Sequence, residues 1–155
     1  MNARFKEFIE SLEPSFQALM RMEPVSVATL PTVMPPAGVY LFSDGEQHLY
    51  VGRTNTIKER LQNHCRPSSG HNSATFAFKL ARKITGMTKA TYQAQGSRSE
   101  LEEHPVFSPV FIQQKQLVRG MSVRFVSEPE AIRQALLEMY VAVSLGTPHN
   151  DFDNS

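Results

Sequence analysis

Residues 38–64 read GVYLFSDGEQHLYVGRTNTIKERLQNH and gather two tyrosines, an arginine and a histidine into one short segment. Two of the chain's four tyrosines, Tyr40 and Tyr50, stand in mirrored triplets, Gly38-Val39-Tyr40 and Tyr50-Val51-Gly52. Phenol, guanidinium and imidazole groups bind phosphate, orient water and carry protons. Arg60 and His64 are four apart, so on a helix they share a face. Gly38 and Gly52 are expected to leave the backbone bare beside the tyrosines, open to a bulky ligand. None of these groups holds a hard cation well, so a metal needs a carboxylate from elsewhere in the chain.

The elements that must position these groups follow from local pattern. GVYLF and HLYVGRT alternate around an Asp-Gly turn signal and predict a β-hairpin. Alternate residues of adjacent antiparallel strands share a face, which lets Tyr40 and Tyr50 project together. Asn55 is the expected N-cap of a helix over TIKERLQNHC, with Ile57 and Leu61 inward. Upstream, residues 3–22 predict one or two short helices interrupted at Pro14, with Leu12, Phe16, Leu19 and Met20 as an apolar stripe. The proline-rich connector EPVSVATLPTVMPP is expected to lie extended on the surface.

Downstream, RPSSGHNS reads as a loop and ATFAFKLARKITG as a helix ending at Gly86. SRSELEEHPVFSPVFIQQKQLVRG predicts one further helical stretch, its start limited by Pro105 and Pro109. MSVRFVS alternates as a third strand, and Ser127 with Glu130 predicts a capping box opening a helix over about 128–145. This order gives an α+β fold, a small antiparallel three-stranded sheet flanked by helices. The expected division is an N-terminal helical segment with its connector at 1–34 and a domain over 35–155.

At 155 residues, 41% apolar and 20% charged, the chain has the profile of one soluble globular domain. Its N-terminus, MNARFKEFIESLEPSF, lacks the apolar core of a signal peptide, and MYVAVSL is too short to cross a bilayer. No membrane partner is expected. Cys65 is the only cysteine, which excludes an internal disulfide and a CxxC zinc site and suits a cytoplasmic location. Beside His64 it could suggest a thiol nucleophile, but nothing else in the sequence supports one.

The net charge of +1 hides a strong sorting. Between Arg53 and Arg98, Lys89 included, nine basic residues meet one acid, Glu59, for a net charge of +8. Such a middle favours a polyanion-facing surface, and a plain solvated basic surface fits the charge equally well. The expected contacts are Arg53, Lys58, Arg66, His71, Lys79, Arg82 and Lys83. The last three fall on one helical side, a pattern that a plain solvated face shares. Phosphate contacts of this kind give affinity without reading sequence.

Residues 38–64 resemble the catalytic core of the GIY-YIG nuclease superfamily. The two triplets match with valine for isoleucine in each, Arg60 falls on the family's helix arginine, and His64 falls on a histidine common in several branches. The resemblance implies a metal-binding glutamate at Glu138 in QALLEMYVAVSL and a final asparagine at Asn150 in TPHNDF. The six elements keep their order over residues 38–150, about three-quarters of the chain. On a helical wheel Glu138 neighbours Ala131, Ala135, Ala142 and Gln134 at the edge of the buried face, where small alanines leave room for an ion and a phosphate.

The implied activity is metal-dependent DNA endonuclease hydrolysis of phosphodiester bonds, with Mg²⁺ (or Mn²⁺) on Glu138. Arg60 would offset charge in the transition state. Tyr40, Tyr50 and His64 share the roles of base, orienter and proton shuttle, and residue type does not choose among them. Asn150 is expected to tie down the tail. Target choice would come from the N-terminal helices, the basic loop or a protein partner, and oligomeric state is left open. Two further readings are a catalytically silent nucleic-acid-binding module with the same fold and a protein-interaction domain. Cleavage assays with Mg²⁺, Mn²⁺ and EDTA separate them.

Overall fold

The computed structural model describes residues 1–87 and 97–152. Lys89, one of the basic residues counted above, lies outside them. The chain divides into two compact units, Met1–Lys58 with Ser122–Ser155, and Glu59–Met121.

The first unit is built on the sheet. Strands β1 (Gly38–Asp44) and β2 (Gln47–Thr54) form the hairpin, and β3 (Ser122–Ser127) pairs with the other side of β1, giving the antiparallel order β2-β1-β3. Helices α1 (Ala3–Glu10) and α2 (Glu13–Arg21) precede it, with Pro14 in the first turn of α2, where a missing N–H costs nothing. Helix α7 (Ala131–Leu145) follows β3. Val39, Leu41 and Val51 pack with Leu12, Leu19, Leu137, Val141 and Ala142 into one buried core. Full burial of a leucine or valine is worth about 1.5–3 kcal/mol. The sheet is thus an α+β sheet flanked by helices, as the sequence pattern predicts.

Two details differ from the sequence reading. The proline-rich connector is not merely extended on the surface. Val25 exchanges both backbone hydrogen bonds with Val123, at 3.0 and 2.6 Å, and Val27 is buried in a 3₁₀ turn. The Ser127–Glu130 capping box is absent. Ser127 ends β3 opposite Gly38, and Pro129 disfavours helical backbone at Glu128. Glu130 caps α7 itself, its carboxylate accepting from the N–H groups of Ile132 and Arg133.

In the second unit α4 (Thr75–Thr85), α5 (Arg98–Glu103) and α6 (Phe107–Gly120) enclose an aromatic cluster. Phe78 lies 5.0 Å from Phe107 and 5.4 Å from Phe111 between ring centroids. The single helical stretch predicted for residues 97–120 is two helices, because Pro105 separates them, while Pro109 fits the first turn of α6. Helix α3 (Ile57–Cys65) begins in the first unit and continues in the second. Among the described residues no helix is long and apolar enough to cross a membrane.

Candidate active site and nucleic-acid interface

The hairpin register fixes the tyrosines. Tyr40 faces Gly52 across the strands, and Phe42 faces Tyr50. Cross-strand partners share a face, so Tyr40, Phe42, Tyr50 and Gly52 lie on one side of the sheet. Tyr40 is 1% exposed and meets Phe42 edge-on, with centroids 5.8 Å apart. Tyr50 is half-buried.

The bare glycines have an internal use, which corrects the expectation of an opening for ligand. A Cβ on Gly52 would collide with the phenol of Tyr40, and one on Gly38 would collide with the Val126 carbonyl of β3. Gly52 therefore lets the tyrosine ring cross the neighbouring strand, and Gly38 lets β3 approach.

Val39, Val51 and Arg53 occupy the opposite face, the one that α7 covers. Glu138 on α7 comes to β2 there, its Oε2 3.8 Å from Nε of Arg53. The Glu138 side chain is 18% exposed and that of Arg53 48%. The carboxylate sits at the border of the buried face, as its helical position implies. Beyond α7 the chain turns back along β2. Asn150 accepts the Val51 N–H at 2.8 Å and donates Nδ2 to the Val51 carbonyl at 2.7 Å, while the Thr147 hydroxyl donates to its Oδ1 at 2.8 Å. Asn150 thus imitates a neighbouring strand on the sheet edge. The Asn55 Oδ1, expected to cap α3, accepts from Nε2 of Gln134 at 3.0 Å.

In the second unit Arg60 is held by its own loop. Its guanidinium donates to the carbonyls of Asn72 and Ser73, at 3.3 and 2.9 Å, and to the Thr75 hydroxyl at 3.1 Å. His64 is fully buried. Burial first, and the Arg60 charge second, lower its pKa to about 3, so the imidazole is neutral at physiological pH. Burial likewise raises the Cys65 thiol, against a nucleophilic thiolate.

The basic residues do not form one set. Arg53 and Lys58 belong to the first unit and the others to the second. Lys58, Arg66 and Lys83 are exposed, whereas Lys79 and Arg82 line a small pocket with His71. His71 has its Nδ1 2.8 Å from Oε1 of Glu102, which also accepts the His71 N–H.

Sequence reasoning missed Lys115. It is 4% exposed, and its ammonium donates to the carbonyls of Pro67 and Ser69 at 2.7 and 2.9 Å while lying 4.3 Å from the Phe111 ring centroid. The signal was present: Phe111, Lys115 and Val118 recur on one helical face, which makes the lysine part of the buried stripe.

The chain thus carries a three-stranded antiparallel sheet, flanked by helices, with paired tyrosine–glycine triplets on its hairpin. Residues 36–104 match the family model of the GIY-YIG catalytic domain. That match supports membership of the GIY-YIG nuclease superfamily for this segment. The match takes in the hairpin, Arg60 and His64, and it ends before Glu138 and Asn150. No curated protein and no solved structure matches the chain.

Proposed function

We propose that the protein is a divalent-metal-dependent endonuclease that hydrolyses phosphodiester bonds in DNA, with residues 35–155 as the nuclease domain and 1–34 as its helical extension. The observation that carries this reading is Glu138, a largely buried carboxylate brought to the YVG strand beside Arg53. Among the described residues no cluster of three or more His, Cys, Asp or Glu side chains could hold a metal. A single carboxylate still suits Mg²⁺ or Mn²⁺, since Mg²⁺ keeps most of its waters and takes one or two carboxylates together with substrate phosphate. Glu138 would hold it. When bound, the ion supplies Lewis-acid polarisation of a phosphoryl oxygen.

The side chains do the rest. An ion pair as exposed as Arg53–Glu138 is worth at most about 1 kcal/mol, so Arg53 can turn to a backbone phosphate at little cost. A tyrosine in its phenolate form would take the proton of the attacking water, becoming the neutral phenol, and align it. His64, with a pKa of about 3, is a weak base, which leaves Tyr40 and Tyr50 for that role, acting around the β2 edge from the sheet face opposite Glu138. Arg60 carries the family's charge-stabilising position, and Asn150 holds the tail against β2. Lys58, Arg66, Lys79, Arg82 and Lys83 supply phosphate contacts, and a protein partner or the N-terminal helices select the target.

A second reading, a silent binding module with this fold, draws on one observation: the Arg60 guanidinium is engaged by its own loop. Glu138→Ala decides between the two. Wild-type protein should cleave plasmid DNA with Mg²⁺ and stop with EDTA. The variant should lose about a thousandfold or more, because metal assistance is worth several kcal/mol, while still melting and binding DNA like the wild type. Cleavage at a comparable rate would place the metal elsewhere or remove it from the reaction, and an inactive wild type would favour the silent module.

A further inference from the structure

The second unit, Glu59–Met121, contains a pocket of about 90 Å³ whose polar lining is His71, Asn72, Thr75, Lys79, Arg82 and Arg98. It has room for one tetrahedral oxyanion. Three side chains that are cationic at neutral pH converge on this small space, and Thr75, the first residue of the 11-residue helix α4, adds the positive end of that helix.

The groups are pre-positioned by contacts within the unit. Arg82 lies with its guanidinium 5.7 Å from the Phe78 ring centroid and donates Nε to the Met87 carbonyl at 3.1 Å. Arg60 fixes the loop at Asn72 and Ser73 and donates to the Thr75 hydroxyl. Glu102, the carboxylate beside the pocket, is engaged by His71. Partial burial, and then the like charge of Arg98, lower the pKa of Arg82. Two guanidinium groups held close enough to repel gain from an anion between them.

We propose that this pocket is a single-phosphate site that grips one phosphate group of a nucleic-acid strand. The proposal rests on the nuclease reading for its ligand, and its geometry is independent of Glu138 and the tyrosines. The phosphate is either an internal backbone phosphate or the terminal 5′-phosphate at a nick.

Inorganic phosphate titrated calorimetrically into the whole protein at low salt should bind saturably at one site. Arg98→Ala and Lys79→Ala should each weaken it at least tenfold, with Arg98→Lys recovering part of the loss and melts confirming that all are folded. On nicked duplexes each alanine should lower the salt slope of binding by about one, the loss of one phosphate contact. A preference for 5′-phosphate over 5′-hydroxyl that disappears in the variants identifies the terminal group. Equal weakening on both duplexes identifies the internal one.

Absence of saturable phosphate binding to the wild type, or variants that bind phosphate and both duplexes as the wild type does, would overturn the site. Mg²⁺-dependent cleavage by the wild type, assayed alongside, keeps the two failures distinct. Cleavage without phosphate binding sinks only the pocket. Saturable phosphate and DNA binding that the variants weaken, without cleavage, sinks the nuclease reading and leaves the pocket standing.

Discussion

The two units place their functional groups by different means. In the first, backbone register does the work: Tyr40 lies across Gly52, Tyr50 faces Phe42, and Asn150 pairs with Val51 as a strand would. In the second, side chains are pinned to loop carbonyls and carboxylates far away in sequence. Arg60 reaches Asn72 and Ser73, Lys115 reaches Pro67 and Ser69, and His71 reaches Glu102. Register is repetitive and tolerates substitution between its fixed points. Side-chain anchors are single contacts that one mutation removes.

The largest expected effect tests the register-built tyrosines. Tyr40→Phe keeps the ring in its place against Gly52 and removes only the hydroxyl, so a fall in cleavage of about 10²- to 10⁴-fold reports a proton-transfer role. Tyr50→Phe should fall less. The reverse order would make the more exposed tyrosine the base and Tyr40 a packing residue. Arg60→Ala should lose turnover by roughly 10²- to 10³-fold as a charge stabiliser, and it should also lower the melting temperature, because three hydrogen bonds inside the second unit go with it. A melt that moves while turnover does not would confine Arg60 to anchoring its loop.

The same contrast explains what the sequence let one read. Alternation in GVYLF and HLYVGRT gives the hairpin, and the positions of Tyr40 and Tyr50 on one face follow from period two alone. The border position of Glu138 was legible from its neighbours on α7, while its role was implied only by the resemblance. The glycines were misread because a missing Cβ looks the same whether the space goes to a ligand or to a neighbour's ring. The ties from Lys115 to Pro67 and Ser69 and from Glu102 to His71 were invisible for another reason. The partners lie as far as 48 residues away, and no local pattern links an ammonium to a distant carbonyl.

Lys115→Met sharpens the comparison from the other side. The methionine keeps most of the volume against Phe111 but leaves two carbonyls without their donor. The expected cost is roughly 2–4 kcal/mol, since hydrogen bonds to charged groups are worth about 1.5–3 kcal/mol each and part is recovered by water. Chemical denaturation measures it. A loss under about 0.5 kcal/mol, the size of an ordinary surface change, would mean that the loop at 67–69 is held by packing instead.

His64 makes the second unit sensitive to acid. Its folded pKa of about 3 lies below its ordinary value of 6.5, so the unfolded chain takes up a proton that the folded chain refuses. Stability is full above pH 6.5 and declines as pH falls from there towards 3, by about 2 kcal/mol at pH 5. Denaturant midpoints at pH 7 and pH 5 should show the drop, and His64→Gln should flatten it. Equal midpoints in the wild type would mean that the imidazole gains its proton without unfolding.

Asn150 gives the smallest effect and the most local one. Its amide supplies both a donor and an acceptor to Val51, and β2 is the edge strand, so nothing else in the sheet pairs with that side. Asn150→Ala should cost about 1–2 kcal/mol, because it removes three ordinary hydrogen bonds at a position that water can partly serve. Asn150→Asp keeps the acceptor for the Val51 N–H and the Thr147 hydroxyl and loses only the donor, so it should fall between. Amide hydrogen exchange reads the contact directly. The Val51 amide should exchange faster in the alanine variant than in the aspartate one, while Leu41, bonded within the sheet, stays protected in both. Unchanged Val51 protection in the alanine variant would show that the tail closes the edge without this side chain. The first unit would then hold position 150 by packing and not by register.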